Sequence, residues 1–456
     1  MVKQGIDFPE KPRQTAVCEV EEWYQQLLAE RLGRPYEPIR RNNFGEYDMA
    51  VNYLTSVLEE AAAIEKVSVF NIDHMAQLEF KGKDAEKLLD RVLPADVGSM
   101  TIGQCKYTLL LNEQGGVMDD LIMMRMSDDR FILVINAGHD ITDENRGKTA
   151  DIDFILSYKL EGEEVEAADI SAQIVKIDIQ GPLSYKLITA LYGENVMKNR
   201  QKPDKNMRYF SFNEFDHEGE HYIISRTGYT SRWGWELYIP VSVAEEQFKQ
   251  IILKALDMGG LLVGLGGRDE NRISAGNFGL PLNGSEYRPD KTPTNCPLFQ
   301  AAIDMTKNNF LGKAAIKREL ESGVDKRMVL FISEGIVTER GIYKDGIKLG
   351  VVTSSINSPN VSEEKREFLG SKRKSVLGEH GTAAIGLGWL KHDPFEIDAE
   401  GNDILEKDGQ AVRIPVEFYR EDENGKPAGK PVTGYISGDG VTQATAPKPL
   451  KQIENL

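Results

Sequence analysis

The stretch Asn112–Met124, NEQGGVMDDLIMM, places two adjacent carboxylates inside an apolar run that follows a Gly-Gly turn. The run from Val117 onward is typical of a strand that starts at such a turn. Because strand side chains alternate between faces, Asp119 and Asp120 point to opposite sides of the sheet. Whichever face meets the core, one carboxylate is buried with it, and an unpaired buried charge costs free energy or shifts its pKa. A carboxylate kept there is a candidate for function.

The composition indicates a soluble protein with more than one domain. The chain has 456 residues, which is too long for one ordinary core, so we expect two or three domains. It carries 72 acidic and 55 basic residues, for a net charge of −17, and no Lys/Arg cluster is flanked by aromatic residues. This balance argues against nucleic acid or an anionic membrane as a partner.

The cysteines and the N-terminal sequence favour a cytoplasmic location. Cys18, Cys105 and Cys296 are widely spaced and form no CxxC pair, which suits a reducing compartment. The N-terminal sequence MVKQGIDFPEKPRQ lacks the apolar core of a signal peptide. No apolar stretch approaches the ~20 residues that a membrane helix needs.

Histidine spacing predicts no metal site. His217 and His221 in HEGEH have the i,i+4 spacing that can hold a metal on a helix. Their flanking residues alternate like strands, however, and Gly219 lies at the apparent turn. We therefore expect a hairpin tip, and we expect that the protein binds no metal.

Two glycine-containing stretches are further candidates for function. GLGGRDENR (264–272) resembles a dinucleotide fingerprint but lacks the third glycine, so it is better explained as a turn that delivers Arg268 to the start of a helix. In RTGYTSRWGWELYIP (226–240), Glu236 lies between Trp235 and Leu237 inside a strand. A charge that reaches solvent from a surface hairpin explains Glu236 equally well. Two carboxylates in apolar strands after glycine turns nevertheless favour a pocket.

Six stretches in order resemble the glycine-cleavage T-protein superfamily, which contains folate-dependent aminomethyltransferases and demethylases. The matches cover about residues 42–435 and are VFNIDHM (69–75), YTLLLNEQGGVMDDLI (107–122), IQGP (179–182), RTGYT (226–230), GLGGRDENRISAG (264–276) and LGVVTSSINSPN (349–360). The resemblance implies an α+β fold of three domains in a cloverleaf, two of them α+β and the C-terminal one β-barrel-like, around a central folate channel.

The predicted domains follow from this resemblance and from the pattern of strands and helices. They are an N-terminal extension (1–45), a discontinuous first folate-binding α+β domain (46–68 and 160–300), a second α+β domain with the Asp-Asp strand (69–159), and a C-terminal β-rich domain (301–445) with an insertion at 362–381.

The resemblance also implies roles for individual residues. Asp119 is placed at the reacting edge of tetrahydrofolate near N5 and N10, with Asp120 in a structural or solvent-facing role on the opposite face, and Glu236 reads the amino-pyrimidine ring of the pterin. A carboxylate suits the adjacent N–H donors of a pterin edge, and a positioned aspartate can manage the proton of N5. Further residues that match the family and are expected at the channel are Tyr107, Asn136, Tyr229 and Arg268.

His74 is a second catalytic candidate besides Asp119. It follows the strand in NIDHM, beside Asp73, which replaces the usual serine of the family. A proton relay by His74 predicts a titration in the activity near pH ~6–7. The alternative is a core histidine satisfied by the backbone.

Departures from the family pattern point to a changed one-carbon donor. Ser231-Arg232-Trp233 replaces the usual Gly-Glu-Asp, and Ser274 replaces an acidic residue. We therefore take Arg232, Trp233 and Ser274 as residues of the donor side. The function that we predict is transfer of a methyl group from a small O-, N- or S-methyl compound to the co-substrate tetrahydrofolate, which yields 5-methyl-tetrahydrofolate.

Two other functions remain open. One is a glycine-cleavage aminomethyltransferase that acts on a lipoyl carrier protein. The other is a folate-binding accessory protein without transferase chemistry, although that branch carries a Lys-Gly-Cys-Tyr-x-Gly-Gln signature that the sequence lacks.

Overall fold

The computed structural model describes residues 12–142, 149–200, 202–275, 279–296, 298–324, 326–358, 383–391, 406–407, 410–411 and 413–437. The predicted insertion at 362–381 lies outside the described residues.

The described residues form helices and strands in alternation. In chain order the helices are α1 Cys18–Arg31, α2 Ser56–Glu65, α3 Ala85–Val92, α4 Asp151–Leu156, α5 Ser184–Tyr192, α6 Ala244–Asp257, α7 Leu265–Ile273, α8 Phe299–Ala302 and α9 Lys313–Ser322. The strands are β1 Arg40–Phe44, β2 Tyr47–Asn52, β3 Ser68–Asn71, β4 Ala76–Lys81, β5 Cys105–Leu111, β6 Val117–Arg125, β7 Arg130–Ile135, β8 Glu166–Asp169, β9 Ile174–Gln180, β10 Phe212–His217, β11 Glu220–Ser225, β12 Gly234–Pro240, β13 Leu261–Val263, β14 Arg327–Ser333, β15 Gly341–Lys344, β16 Ile347–Ser358, β17 Ala383–Leu390, β18 Glu406–Lys407, β19 Gln410–Ala411, β20 Arg413–Glu421 and β21 Pro427–Ser437.

A six-stranded sheet in the order β10-β11-β12-β9-β3-β13 forms the first unit. Its neighbours are antiparallel except for the parallel pair β3 and β13. Helix α6 packs on it through Phe248, Ile251 and Ile252, which recur at the spacing of one helix face and are fully buried. Tyr24 and Leu28 of α1 enter the same core, so part of the predicted N-terminal extension is built into this unit.

A five-stranded antiparallel sheet in the order β5-β6-β7-β4-β8 forms the second unit. Helix α3 covers it with Leu88, Leu89 and Val92, which lie on one face and are buried. This sheet contains β6, the strand with the two aspartates.

The third unit is a closed barrel in the order β14-β17-β16-β15-β20-β21. Neighbouring strands approach closely at glycines; a Cβ at Gly434, for example, would lie 2.1 Å from the carbonyl oxygen of Ile332. Two α+β sheets and a C-terminal barrel confirm the predicted fold class.

Two strands cross the predicted domain boundaries. Strand β3 at Ser68–Asn71 belongs to the six-stranded sheet, although residues 69–71 were predicted in the second domain. Strand β8 at Glu166–Asp169 belongs to the five-stranded sheet, although it was predicted in the first domain. Division by sheet therefore places these boundaries after Asn71 and after Asp169.

The HEGEH stretch forms a hairpin, as predicted. His217 ends β10 and pairs with Glu220 at the start of β11, and Gly219 has a φ of +88° in the turn between them. Among the described helices, none has the length and apolar character needed to cross a membrane.

Candidate active site

A cavity of about 270 Å³ lies between the two sheets. The five-stranded sheet contributes Tyr107 and Asp120, and the six-stranded sheet contributes Lys176 and Glu236. Helix α7 adds Arg268. The remaining lining residues are mostly apolar or aromatic: Phe44, His74, Met75, Leu121, Ile122, Val134, Asn136, Tyr209, Phe210, Thr227, Gly228, Tyr229, Ser231, Leu280, Leu282, Leu298 and Ala301.

The structure separates the two aspartates onto opposite faces of β6, but in the reverse of the predicted order. Asp120 lines the cavity, whereas Asp119 is not among the lining residues and is only 3 % exposed. Asp119 Oδ1 accepts a hydrogen bond from Asn136 Nδ2 at 2.7 Å and another from Asn283. Alternation sets the two faces apart, but which face meets the second sheet depends on how the sheets pack. The placement of Asp119 in the channel is therefore corrected to Asp120.

Asp120 is held by two side chains and retains access to the cavity. Its carboxylate accepts hydrogen bonds from Tyr107 Oη at 3.2 Å and from Asn136 Nδ2 at 2.9 Å. Burial, together with the neighbouring charge of Asp119, raises the pKa of Asp120 to about 7. At neutral pH this carboxyl group can both accept and donate a proton, as a general acid or base requires.

A chain of hydroxyl and thiol groups continues from Asp120 into the interior. Tyr107 Oη lies 3.5 Å from Tyr287 Oη, which accepts a hydrogen bond from Cys296 Sγ at 3.4 Å. Burial raises the pKa of both tyrosines well above the ordinary value, so both hydroxyls keep their protons. They hold Asp120 in position without competing for its charge.

A buried ion pair lies in the opposite wall of the cavity. Glu236 Oε1 is 3.1 Å from Lys176 Nζ, and Glu236 Oε2 accepts a hydrogen bond from Thr227. The pairing of β12 with β9 produces this contact, because Glu236 lies opposite Asp178, next to the pair Tyr238–Lys176. Lys176 is 1 % exposed, and burial lowers its pKa.

Sequence reasoning missed Lys176 and Asp178, although a signal was present. Both are charged residues at alternate positions of the apolar strand VKIDIQ, the same pattern that singled out Glu236. Burial and the neighbouring Glu236 raise the pKa of Asp178 to about 7, and its Oδ1 accepts a hydrogen bond from Gln180 Nε2 at 2.6 Å. Asp178 lies behind the ion pair and is not among the lining residues.

Arg268 and His74 each present an unpartnered nitrogen in the described structure. Arg268 Nη1 and His74 Nδ1 are buried without a hydrogen-bond partner, although both residues line the cavity. The Arg268 guanidinium lies 5.4 Å from the centroid of the Tyr229 ring. A ligand that fills the cavity can supply partners for these nitrogens. Tyr229 and Asn136, which the resemblance placed at the channel, also line the cavity.

His74 does not titrate where the sequence analysis expected. Burial and the positive charges of Arg268 and Lys176 lower its pKa well below the ordinary value. The neutral form of the ring is therefore favoured, and the ring makes an edge contact with Phe44, with ring centroids 4.9 Å apart. Asp120, which lines the cavity, has a pKa of about 7.

The three residues predicted on the donor side do not line this cavity. Trp233 is 6 % exposed and belongs to the core of the six-stranded sheet, where the Arg226 guanidinium stacks 4.3 Å from its ring centroid. Arg232 is buried and its Nε lies 3.4 Å from Asn271 Oδ1. Ser274 follows the last residue of α7 and donates to the carbonyl oxygen of Asn271 at 3.3 Å. The same loop brings Ser231 to the cavity instead.

A second cavity of about 270 Å³ adjoins the first and shares Phe44, Tyr229, Arg268 and Leu282 with it. Arg272, one turn after Arg268 on α7, lines this second cavity and pairs with Glu286 at 3.0 Å. Glu286 in turn accepts a hydrogen bond from Ser354 of the barrel at 2.7 Å. Helix α7 thus connects the first cavity to the barrel.

The pKa of Asp120 predicts the pH dependence of activity. If the carboxylate is the working form, the rate rises with pH through an inflection near 7, because the folded-state pKa is about 7. Asp120→Asn is expected to remove this inflection, whereas His74→Gln keeps it.

The raised pKa of Asp120 also makes stability depend on pH. Since the folded protein holds this proton more tightly than the unfolded chain does, the contribution of Asp120 to stability decreases as the pH rises from ~4 to ~7. Rate profiles from pH 5 to 9 and thermal melts from pH ~4 to 9 measure the two effects. An inflection that persists in Asp120→Asn and vanishes in His74→Gln contradicts the assignment.

Comparison with known proteins agrees with this architecture. The family model described as "GCVT N-terminal domain" matches residues 40–307, more than half of the chain. The chain is 31% identical over 325 residues to an aminomethyltransferase of Desulfitobacterium hafniense. The aligned residues are 70% of this chain and 83% of the relative. It is 32% identical over 327 residues to an aminomethyltransferase of Anoxybacillus flavithermus, with 70% and 84% covered.

A solved structure has the same fold. It is the glycine cleavage system aminomethyltransferase T from Bartonella henselae, which aligns with a TM-score of 0.66 and 22% identity over 94% of this chain and 99% of that chain. The sequence motifs, the two sheets with their barrel and these matches agree, and the chain belongs to the GCVT family within the glycine-cleavage T-protein superfamily.

Proposed function

We propose that this protein is an enzyme that transfers a one-carbon unit to tetrahydrofolate. The observation that carries the proposal is the placement of Asp120 and Glu236 in the walls of one cavity, although they come from different sheets. A pterin presents N–H donors along its edge, and carboxylates accept such donors in charge-assisted hydrogen bonds. The family resemblance assigns the reacting edge to Asp119 and the pyrimidine ring to Glu236, and we propose the neighbouring Asp120 for the first of these roles.

The lining of the cavity fits such a ligand. Its walls are mostly apolar and aromatic, as suits a flat heterocycle. The unpartnered Arg268 Nη1 and His74 Nδ1 supply a donor and a ring nitrogen for polar atoms of the ligand. In this assignment Glu236 and Lys176 orient the ring, and Asp120 accepts or returns the proton of the reacting nitrogen. The apolar walls exclude water, and positioning in such a site contributes roughly 7–11 kcal/mol to catalysis.

The donor that we propose is an aminomethyl group on a lipoyl carrier protein. The relatives with more than 30% identity are named aminomethyltransferases. The departures from the family pattern at Arg232, Trp233 and Ser274 support a methyl donor less strongly, because these three residues do not line the cavity. Methyl transfer from a small methylated compound, which the sequence favours, is therefore the second candidate function. Its support is Ser231, which lines the cavity at a position where the family has glycine.

One assay separates the candidate functions. The full-length protein is given tetrahydrofolate with aminomethyl-loaded lipoyl carrier protein, and in parallel with a panel of O-, N- and S-methyl compounds. Ammonia and methylene-tetrahydrofolate from the loaded carrier support the proposal. Formation of 5-methyl-tetrahydrofolate without ammonia supports the second candidate. Tight folate binding with no product from any donor indicates an accessory protein. A cytoplasmic location stays a prediction.

A further inference from the structure

Three side chains of the types that ligate metals lie together outside the lining of the folate cavity. They come from the turn between β1 and β2 and from the loop after β7. Glu46, His139 and Asp140 each offer one ligand atom, and these atoms lie within 4.8 Å of one another. The two segments pack closely: a Cβ on Gly45 would lie 2.7 Å from Ala137 Cβ. The cluster was not apparent in the sequence, because about ninety residues separate Glu46 from His139.

The carboxylate of Glu46 is buried and has no hydrogen-bond donor from another residue of the described chain. Its side chain is 0 % exposed, and neither carboxylate oxygen accepts a hydrogen bond from another residue of the described chain. A buried carboxylate in this state loses its hydration and gains no donor in return, which costs several kcal/mol unless a cation or a proton is bound. Burial raises the pKa of Glu46 accordingly.

His139 presents a lone pair to the same place. In the neutral ring the proton lies on Nε2, which is 3.0 Å from Asp169 Oδ2 and donates to that carboxylate. The other ring nitrogen, Nδ1, is buried and has no hydrogen-bond partner in the described structure. A histidine whose second nitrogen is held by a carboxylate is the usual arrangement of a metal ligand.

The charges around the cluster are more negative than positive, which favours the binding of a cation. Glu46, Asp140 and Asp169 are acidic, and Arg13, whose Nη2 lies 2.7 Å from Asp140 Oδ2, supplies one positive charge. Arg13 reaches Asp140 from the exposed side, with half of its side chain accessible, and makes no hydrogen bond with the Glu46 carboxylate. Negative charge therefore remains in excess next to the lone pair of His139.

We propose that Glu46, His139 and Asp140 bind one divalent transition-metal ion. One imidazole nitrogen and two carboxylates form a ligand set that suits Zn²⁺ and its neighbours better than Ca²⁺ or Mg²⁺, which prefer oxygen ligands alone. The ion ties the β1–β2 hairpin to the loop after β7. Both segments line the folate cavity nearby, through Phe44 and Asn136. Its role is to hold this wall in place, and it takes no part in the one-carbon transfer.

The test is titration of the full-length protein with Zn²⁺ after treatment with a chelator and dialysis, at pH 8 so that protons compete less. We expect one equivalent of Zn²⁺ to bind, and Co²⁺ to give a ligand-field absorption band in the same stoichiometry. Glu46→Gln and His139→Gln are expected to weaken binding at least tenfold. His221→Gln is the matched control, because His221 also lies beside two carboxylates, at the exposed hairpin tip, and its replacement leaves binding unchanged.

Asp140→Asn is a second variant that is expected to fold normally, because this side chain is one-third exposed and its replacement leaves the core intact. It is expected to weaken Zn²⁺ binding and to abolish the rise in melting temperature that Zn²⁺ gives the parent. Absence of stoichiometric binding in the parent overturns the proposal, and a proton on Glu46 then explains the cluster. Equal affinity in the parent, Glu46→Gln and Asp140→Asn overturns it as well.

Discussion

Asp120→Asn is expected to lower kcat by roughly 10²–10⁴-fold, because the loss of a positioned general acid or base falls on the transition state. The amide keeps the shape of the side chain. Its oxygen can still accept from Asn136 Nδ2, which is 2.9 Å from Asp120 Oδ1, and its NH2 group can donate to Tyr107 Oη, which is 3.2 Å from Asp120 Oδ2. Folate affinity is therefore expected to change little. Steady-state kinetics and equilibrium folate binding of the two proteins measure the difference.

Asp119→Asn is the matched control for this substitution, since it makes the same chemical change one residue earlier. Asp119 does not line the cavity; it accepts hydrogen bonds from Asn283 and from Asn136, whose Nδ2 also donates to Asp120. The amide oxygen can replace Oδ1, which accepts from both asparagine side chains, but the NH2 group then faces the backbone N–H of Asn136, which is 3.3 Å from Asp119 Oδ2. We expect a loss of about 1–3 kcal/mol in the free energy of unfolding. Turnover of the folded fraction above pH ~7 stays near the parental value, and the inflection moves to lower pH, because the charge of Asp119 helps to raise the pKa of Asp120. A large loss of kcat in Asp119→Asn together with normal turnover in Asp120→Asn would return the catalytic role to Asp119.

Glu236→Gln is expected to weaken tetrahydrofolate binding by about tenfold to a hundredfold. A hydrogen bond to a charged group contributes about 1.5–3 kcal/mol, and the amide lacks the charge that the pterin donors meet. Because Glu236 Oε1 also neutralises Lys176 at 3.1 Å, the substitution leaves a buried amine without its counter-charge. Calorimetric titration with tetrahydrofolate measures the affinity, and denaturant unfolding measures stability separately.

The partner residue separates binding from folding. Lys176→Met alone leaves Glu236 buried and unpaired, so we expect it to destabilise the protein by about 3–5 kcal/mol. The double variant Lys176→Met/Glu236→Gln removes both charges and is expected to regain much of that stability without regaining folate affinity. Glu214→Gln, on the nearby strand β10 and outside the cavity, is the control and should bind folate normally. Unchanged affinity in Glu236→Gln would refute its role as the pterin anchor.

Local sequence was sufficient for the fold class and for several residues of the site. The turn at Gly115-Gly116 and the alternation after it predicted β6, and the same alternation correctly separated its two aspartates. Glu236 stood out because a charge in an apolar strand needs a partner, and the structure supplies Lys176. These inferences rest on periodicity and on the cost of burying a charge, and both can be read from neighbouring residues.

Tertiary packing decided what neighbouring residues cannot encode. Asp120 rather than Asp119 faces the cavity because of the way the five-stranded sheet meets the six-stranded one. His74 loses its expected titration because Arg268 and Lys176, distant in sequence, lie beside it in a buried place. Trp233 enters the core, and the cluster of Glu46 with His139 exists only because the two segments that carry them pack together. The sequence by itself determined which side chains are costly to bury, whereas the folded structure determined what each of them faces, because contacts between residues far apart in the chain set the solvation and the charge around them.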